Sequence, residues 1–342
     1  MGRHVNIPIF IPHLGCPNQC VFCNQRLISG RISFDEASVK QEIDTALSTV
    51  TSDDEVEIAF FGGSFTGIDR NLMIRLLELA QGYLVRGLVG SIRCSTRPDY
   101  IDGEILEILS RYGVRAIELG LQSTCDRVLT LSKRGHSLED EIRACRLIRN
   151  MGFELVGQMM IGLPGSTAED EVQTARNIVK WGCSAVRIYP TVVFKDTELC
   201  GMCENGEYSA LTLEEAVERG AEVLKIFSDS SLSILRIGLC SSDNLSSADC
   251  YFAGPNHPAI GELIEGKLYY DKICERLSDI PCEGKHLVIN APLKETSKII
   301  GQKRIYKEKL TRRFGLKSIK VIEDARLEKY NILISFKEKN SD

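Results

Sequence analysis

The sequence predicts an α/β fold: a partial (β/α)6-type barrel followed by a small α+β domain at the C-terminal end. Three observations predict it. Six short runs rich in β-branched and apolar residues recur over the first 190 residues, each closed by a turn signal. Stretches with helical period separate them, and that alternation marks parallel βα units. Finally, the polar and glycine-rich motifs come directly after the strand runs. A barrel gathers such strand ends on one rim, whereas an open doubly wound sheet would concentrate them at one switch point.

The strand runs are residues 5–11, 56–61, 91–94, 116–121, 154–161 and 185–189, with a seventh candidate at 234–239. Helical period covers 35–47, 72–84, 103–112, 137–151 and 168–181, then about 213–227 and 259–277. Asp35 is placed as an N-cap, and Gly113 and Gly152 follow their helices where C-terminal glycines sit. The cysteine-rich loop follows the first run, and Gly62-Gly63-Ser64-Phe65 follows the second. Thr96-Arg97-Pro98-Asp99 follows the third, and Gln122-Ser123 ends the fourth. Gly162-Leu163-Pro164-Gly165 and Tyr189-Pro190-Thr191 close the fifth and sixth. These boundaries give a barrel over 1–240, an extension and linker over 241–284 with a polar stretch at 241–247, and a small basic domain over 285–342. The last domain reads as strand, helix, helix, strand, strand.

A composition with 43% hydrophobic and 26% charged residues is that of a globular protein with a full core. No stretch approaches the ~18 apolar residues of a membrane span. The N-terminal residues hold no apolar run with a cleavage site, so a cytoplasmic location is expected. Thirteen cysteines, an odd number, then argue for reduced thiols, some of them metal ligands, over a disulfide framework. Charge is uneven along the chain. From Lys285 onward there are 15 Lys and Arg against 7 Asp and Glu, and the rest of the chain carries 27 against 40. A basic tail on an acidic body suggests an anionic partner; a solvated helix face is the alternative.

Cys16, Cys20 and Cys23 are spaced C-x3-C-x2-C. Thiolates are the usual ligands of iron–sulfur clusters, and three of them leave one iron of a 4Fe–4S cube open to a ligand. A closed zinc site would need a fourth Cys or His at comparable spacing, and His13 lies only three residues before Cys16.

With Phe22 just before its last cysteine, this motif resembles that of the radical S-adenosylmethionine (SAM) superfamily. The resemblance implies a 4Fe–4S cluster on Cys16, Cys20 and Cys23 whose open iron chelates SAM. Electrons would come from a ferredoxin or flavodoxin, and cleavage of SAM would give a 5′-deoxyadenosyl radical. Phe22 would then lie near the adenine. Gly62, Gly63 and Ser64 resemble the glycine pair that meets the methionine amino group. Gln122, Ser123, Gly162 and Leu163 are placed on the same SAM-facing rim. A larger residue at Gly63 is expected to block the ligand and leave the cluster in place. No catalytic residue is assigned.

Longer stretches narrow the likeness. Thr96-Arg97-Pro98-Asp99-Tyr100, Glu118-Leu119-Gly120-Leu121-Gln122-Ser123 and Lys133-Arg134-Gly135-His136-Ser137 occur in that order. Gly157 to Thr167 and Arg187-Ile188-Tyr189-Pro190-Thr191 follow. The series resembles the radical SAM half of the Elongator catalytic subunit family, which implies modification of tRNA or another RNA. Only 58 residues follow Gly284, too few for that family's acetyltransferase domain, so the acetyl donor is not expected here. A radical enzyme acting on a small molecule, similar to oxygen-independent coproporphyrinogen oxidase, is the alternative. That family has a further cysteine two residues after the third, where this chain reads Cys23-Asn24-Gln25.

The order of elements in the tail is similar to a KH RNA-binding core, with Gly301-Gln302-Lys303-Arg304 in place of its GxxG loop. RNA contact through the tail, with help from Lys133 and Arg134 at the rim, stands beside the plainer reading of a cap on the barrel. Cys200 and Cys203 form a CxxC, either a second metal site or buried thiols used for packing.

Overall fold

Asp35, Asp69, Asp102, Ser137 and Thr167 each accept a backbone N–H in the first turn of the helix that follows, and this is how the βα units of the chain begin. Ser137 with Asp140 and Thr167 with Asp170 form complete capping boxes. The structure, a computed structural model, describes residues 3–11, 14–16, 20–24, 33–239 and 250–337.

Seven strands pair in parallel. They are β1 (His4–Ile11), β2 (Glu55–Gly62), β3 (Ser91–Thr96), β4 (Val114–Gln122), β5 (Glu154–Ile161), β6 (Ala185–Pro190) and, past the short β7 (Val193–Phe194), β8 (Ser233–Ile237). Their order is β1-β2-β3-β4-β5-β6-β8, and among the described residues β8 does not pair back to β1. The barrel is therefore partial, and the seventh run makes it one strand larger than the six-unit expectation. Helices α1 (Glu36–Leu47), α2 (Arg70–Val85), α3 (Gly103–Arg111), α4 (Asp126–Leu131), α5 (Leu138–Asn150) and α6 (Ala168–Lys180) link successive strands. Further on, α7 (Glu198–Glu204) follows β7, which pairs antiparallel with β9 (Tyr251–Ala253). Ile7, Ile9, Ile58, Ile92, Ile117 and Val156 are buried at 2% exposure or less and form the apolar core of the sheet.

Two compact units emerge. The first holds residues up to 212 together with 232–256, and the second holds 213–231 with 257 onward. The sequence boundaries at 240 and 284 thus differ from the observed division. Helices α8 (Leu213–Asp229) and α9 (Ile260–Leu277) pack with the tail, because Gly220 of α8 admits the Ile264 side chain of α9 against its backbone. The tail itself is β10 (His286–Ala291), α10 (Thr296–Ile300), α11 (Ile305–Phe314), β11 (Ser318–Glu323) and β12 (Leu333–Lys337). Its sheet runs β11-β10-β12, parallel on one side of β10 and antiparallel on the other. Glu265 of α9 ties this unit together, accepting from Tyr330 Oη at 2.7 Å and facing Lys298 Nζ at 2.7 Å and Lys329 Nζ at 2.6 Å. No helix among the described residues is long and apolar enough to cross a membrane. The polar stretch at 241–247 lies outside the described residues.

Candidate metal centre

Cys16, Cys20 and Cys23 follow the C-terminal end of β1, on the same rim as the Gly62-Gly63 turn after β2. That loop also includes residues 12–13, 17–19 and 25–32, which lie outside the described residues. Backbone lies directly on backbone here. A β-carbon on Gly15 would stand 2.3 Å from the Ser64 carbonyl oxygen, and one on Gly63 would stand 2.4 Å from that of Leu14 and 3.4 Å from Cys16 Sγ. A larger residue at Gly63 therefore displaces the cysteine loop itself. The expectation that it would spare the cluster is corrected: these glycines bring two loops together.

The Cys16 thiol is pushed up by burial, with Arg97, Arg134 and the Ser64 backbone N–H acting in the opposite direction. On the other side of the loop the Cys23 N–H closes a turn on the Cys20 carbonyl at 2.9 Å. The Val21 N–H donates to Ser132 O at 3.2 Å, and the Leu199 N–H donates to Val21 O at 2.8 Å. Phe22 packs on an apolar cluster of Val21, Val193, Leu199 and Cys200 that Cys203 also joins. Cys200 and Cys203 are thus packing residues among the described ones, and burial raises both thiols. No three His, Cys, Asp or Glu side chains among the described residues converge as ligands of a single ion. A cube seats each thiolate on its own iron, so its ligands need not converge.

Two buried arginines face the cysteines. Arg134 donates from Nη1 to Cys20 Sγ at 3.2 Å and from Nη2 to Gly120 O at 2.6 Å. Its own carbonyl accepts from Arg97, whose guanidinium is clamped in a fork to Asp99 at 2.9 Å and 2.9 Å. Arg134 is 6% exposed, so it is not the rim contact for RNA that its basic neighbourhood suggested. Lys133 is exposed and pairs with Glu198 at 2.5 Å. Left-handed backbone at Lys133 (φ 52°) and Gly135 (φ 74°) brackets Arg134 and turns it inward.

The residues fit an anionic cluster with a polar ligand. Of the three cysteines, Cys16 and Cys20 lie in reach of the Arg97 and Arg134 guanidinium groups. Arg97 Nη1 and Gln122 Oε1 are buried without a hydrogen-bond partner among the described residues, and native folds leave few such groups unless a ligand or water takes them. Gln122 ends β4 in a left-handed conformation (φ 70°), beside a register shift between Gly120 and Gln122.

The other anticipated contacts are engaged internally. Ser64 Oγ shares a 2.7 Å hydrogen bond with Thr96 Oγ1 and accepts from the Arg97 N–H at 3.3 Å. Ser123 Oγ accepts from the Cys125 N–H at 3.3 Å. The Gly162 N–H donates to Glu171 at 2.6 Å, its carbonyl accepts from Tyr208 Oη at 2.6 Å, and Leu163 is buried. Gly62 spends its freedom (φ 115°) on close approach to Ile11 of β1.

Sequence reasoning missed a charged ladder across the strands. Arg93 of β3 bridges Glu57 of β2 and Glu118 of β4, and Arg187 of β6 grips the same Glu118 at 2.8 Å and 3.0 Å. Glu57, Arg93 and Glu118 are at most 7% exposed. Charges standing inside otherwise apolar strand runs were the available signal. A second missed pair is His136 with Glu141, 3.0 Å apart and buried. Burial, with Arg134 and Arg97, drives the imidazole pKa down to about 3, and burial raises the Glu141 carboxyl well above its usual value.

A family model described as the Radical SAM superfamily matches residues 10–178, and one described as the Radical_SAM C-terminal domain matches residues 183–270. Protein MJ0486 of Methanocaldococcus jannaschii is 30% identical over 217 residues, 60% of this chain and 66% of that protein. The tRNA uridine(34) acetyltransferase of Methanocaldococcus infernus is 36% identical over 126 residues, 36% of this chain and 24% of that enzyme. This chain thus spans just under two thirds of the first relative and about a quarter of the second. Among solved structures, the archaeal Methanocaldococcus infernus Elp3 with an N-terminal deletion has a similar fold, at a TM-score of 0.62 and 22% identity. That match covers 81% of this chain and 64% of the other.

Proposed function

Since the chain belongs to the radical SAM superfamily, which two family models follow over most of residues 10–270, we propose that it is a SAM-cleaving enzyme acting on tRNA or another RNA. Cys16, Cys20 and Cys23 would hold a 4Fe–4S cluster, which would supply the electron for reductive cleavage of SAM. The observation that carries this reading is the pairing of a three-cysteine loop with buried Arg97 and Arg134 beside Cys16 and Cys20. Arg97 and Gln122 supply polar atoms that await a ligand, and the Gly63 turn fixes the loop that bears Cys16. A cytoplasmic ferredoxin or flavodoxin is the proposed electron donor.

The RNA substrate is drawn from the Elongator-type relatives, one of which is named for tRNA uridine(34), and from the basic tail. Lys303, Arg304 and Arg312 are exposed, and Lys303 (φ 52°) and Arg304 (φ 65°) turn the chain in left-handed conformations just before α11. Such cations attract a phosphate backbone with an affinity that falls steeply with salt. Arg313 is less free, because its Nη1 reaches Cys274 Sγ at 3.6 Å.

Anaerobically reconstituted protein should release 5′-deoxyadenosine from SAM with dithionite, and none after Cys20→Ala. Nucleoside mass spectrometry of tRNA, with and without the gene, should show a modified base lost from the deletion strain. Reversing charge at Lys303, Arg304 and Arg312 should weaken tRNA binding and leave uncoupled SAM cleavage intact. Cleavage of SAM with no salt-sensitive tRNA binding and unchanged nucleosides would remove RNA from the proposal and keep the radical chemistry.

A further inference from the structure

The geometry points to Arg134 as the residue that sets the reduction potential of the cluster, acting through Cys20. This rests on the proposal that Cys16, Cys20 and Cys23 hold the cluster. Acting through Cys20, Arg134 is a positioning residue. Its Nη1 lies 3.2 Å from Cys20 Sγ, so the contact is a charge-assisted N–H···S hydrogen bond to a cluster ligand.

The contact is fixed from four directions. The second nitrogen of the fork donates to Gly120 O at 2.6 Å at the end of β4, and Arg97 donates to the Arg134 carbonyl. The Arg134 N–H donates to Leu129 O at 2.9 Å, holding the residue against the end of α4. Two residues earlier, Ser132 O accepts from the Val21 N–H at 3.2 Å, so segment 132–134 grips segment 20–21 at two adjacent points. The guanidinium brings a positive charge beside the Cys20 sulfur.

Three thiolates make the cluster assembly anionic, and the electron that reduces it adds one more negative charge. Hydrogen bonds to the sulfurs and nearby charge are established levers on such potentials, and a site shielded from water amplifies them. Arg134 therefore favours the reduced form. Arg97 adds charge at the same place through Cys16 and Cys20, but it is clamped to Asp99 and partly neutralised by it. Arg134 turns its fork to the Gly120 carbonyl and the Cys20 thiol.

The couple is the oxidised cluster plus one electron, supplied by dithionite, with no bond made or broken. Wild type, Arg134→Gln and Arg134→Lys are reconstituted anaerobically, assayed for iron and sulfide, and titrated potentiometrically without SAM by electron paramagnetic resonance. At the wild-type midpoint, the ratio of reduced to oxidised cluster should fall at least tenfold in Arg134→Gln. For a one-electron couple that is a shift of about 59 mV to lower potential. Arg134→Lys keeps the charge but cannot span Gly120 O and Cys20 Sγ together, and should fall between the two. Equal midpoints in iron-loaded Arg134→Gln and wild type would overturn the inference. If wild type takes up no cluster, the cluster proposal falls, and this inference with it. A second measurement needs no variant: reduced wild type labelled with 15N-arginine should show hyperfine coupling between the cluster and an arginine nitrogen. Its absence in cluster-loaded protein would equally overturn the role of Arg134.

Discussion

Two groups of buried charge sit a few residues apart in the same strands and are finished very differently. In the ladder, Glu57, Arg93, Glu118 and Arg187 exhaust one another: Arg93 donates to both carboxylates, and Arg187 takes both oxygens of Glu118. At the rim, Arg97 keeps Nη1 and Gln122 keeps Oε1 buried without partners among the described residues, and Arg134 donates to a thiol. A satisfied network is complete by itself and acts on stability. A network left unsatisfied among the described residues is open to a ligand, so its residues should matter to ligands more than to the fold.

The sharpest way to break this comparison is at the metal. Cys16→Ala should reduce bound iron from about four per chain to background. The metal-free stability should stay within about 1 kcal/mol, since Cys16 is only partly buried in a loop outside the strand core. Iron assay with urea denaturation of the metal-free protein tests both halves, and Gly63→Val should mimic the iron loss because its side chain enters the Leu14–Cys16 backbone.

The ladder should answer the other way. Glu118→Ala leaves two guanidinium groups buried together and should cost about 3–5 kcal/mol, read by the denaturation midpoint of metal-free protein. A loss under about 1 kcal/mol would place Glu118 with the rim and dissolve the distinction.

Gln122→Leu is the finer test. It removes a buried acceptor that has no partner among the described residues, so metal-free stability should stay level or rise by up to about 1 kcal/mol. SAM affinity should fall by about tenfold, by equilibrium dialysis against cluster-loaded protein. Unchanged affinity would return Gln122 to a purely local role.

The smallest effect is on pH dependence. His136 has its folded pKa depressed to about 3 from 6.5, so below pH 6.5 the unfolded chain binds a proton that the folded chain refuses. Stability should therefore decline as pH falls from about 6.5 toward 3. Glu141 has the opposite sign: its raised pKa favours the fold when protonated, and that contribution fades as pH rises through the raised value. His136→Gln should flatten the acid-side decline in urea titrations; an unaltered slope would exclude the imidazole as its source.

Much of the barrel was legible because parallel strands buried on both faces read as β-branched runs. Residues 154–161 match β5 end for end, and Asp35 caps α1 as anticipated. The short helices α4 and α7 were not legible, since one to two turns carry too little period to register. The cysteine spacing was legible as local chemistry. The surroundings of Cys20 were not, because Arg134 lies 114 residues along the chain and its basic neighbours suggested solvent. The ladder was hidden for the same reason: its partners are separated by 25 to 69 residues, and only the sheet register brings them side by side.

The cysteine loop is bounded by Ser132, through Val21, and by Leu199, again through Val21. A ribosome adding about 5–20 residues per second makes Cys23 roughly 10–35 s before Leu199 exists. Until Leu199 is made the loop lacks that side of its wall, which leaves its three thiols more open to oxidation and to competing metal ions. If these thiols hold the proposed cluster, its delivery into the walled loop is expected to follow synthesis of the sixth strand and the helix beyond it. The order of manufacture, as much as the order of strands, is written into where this loop finds its neighbours.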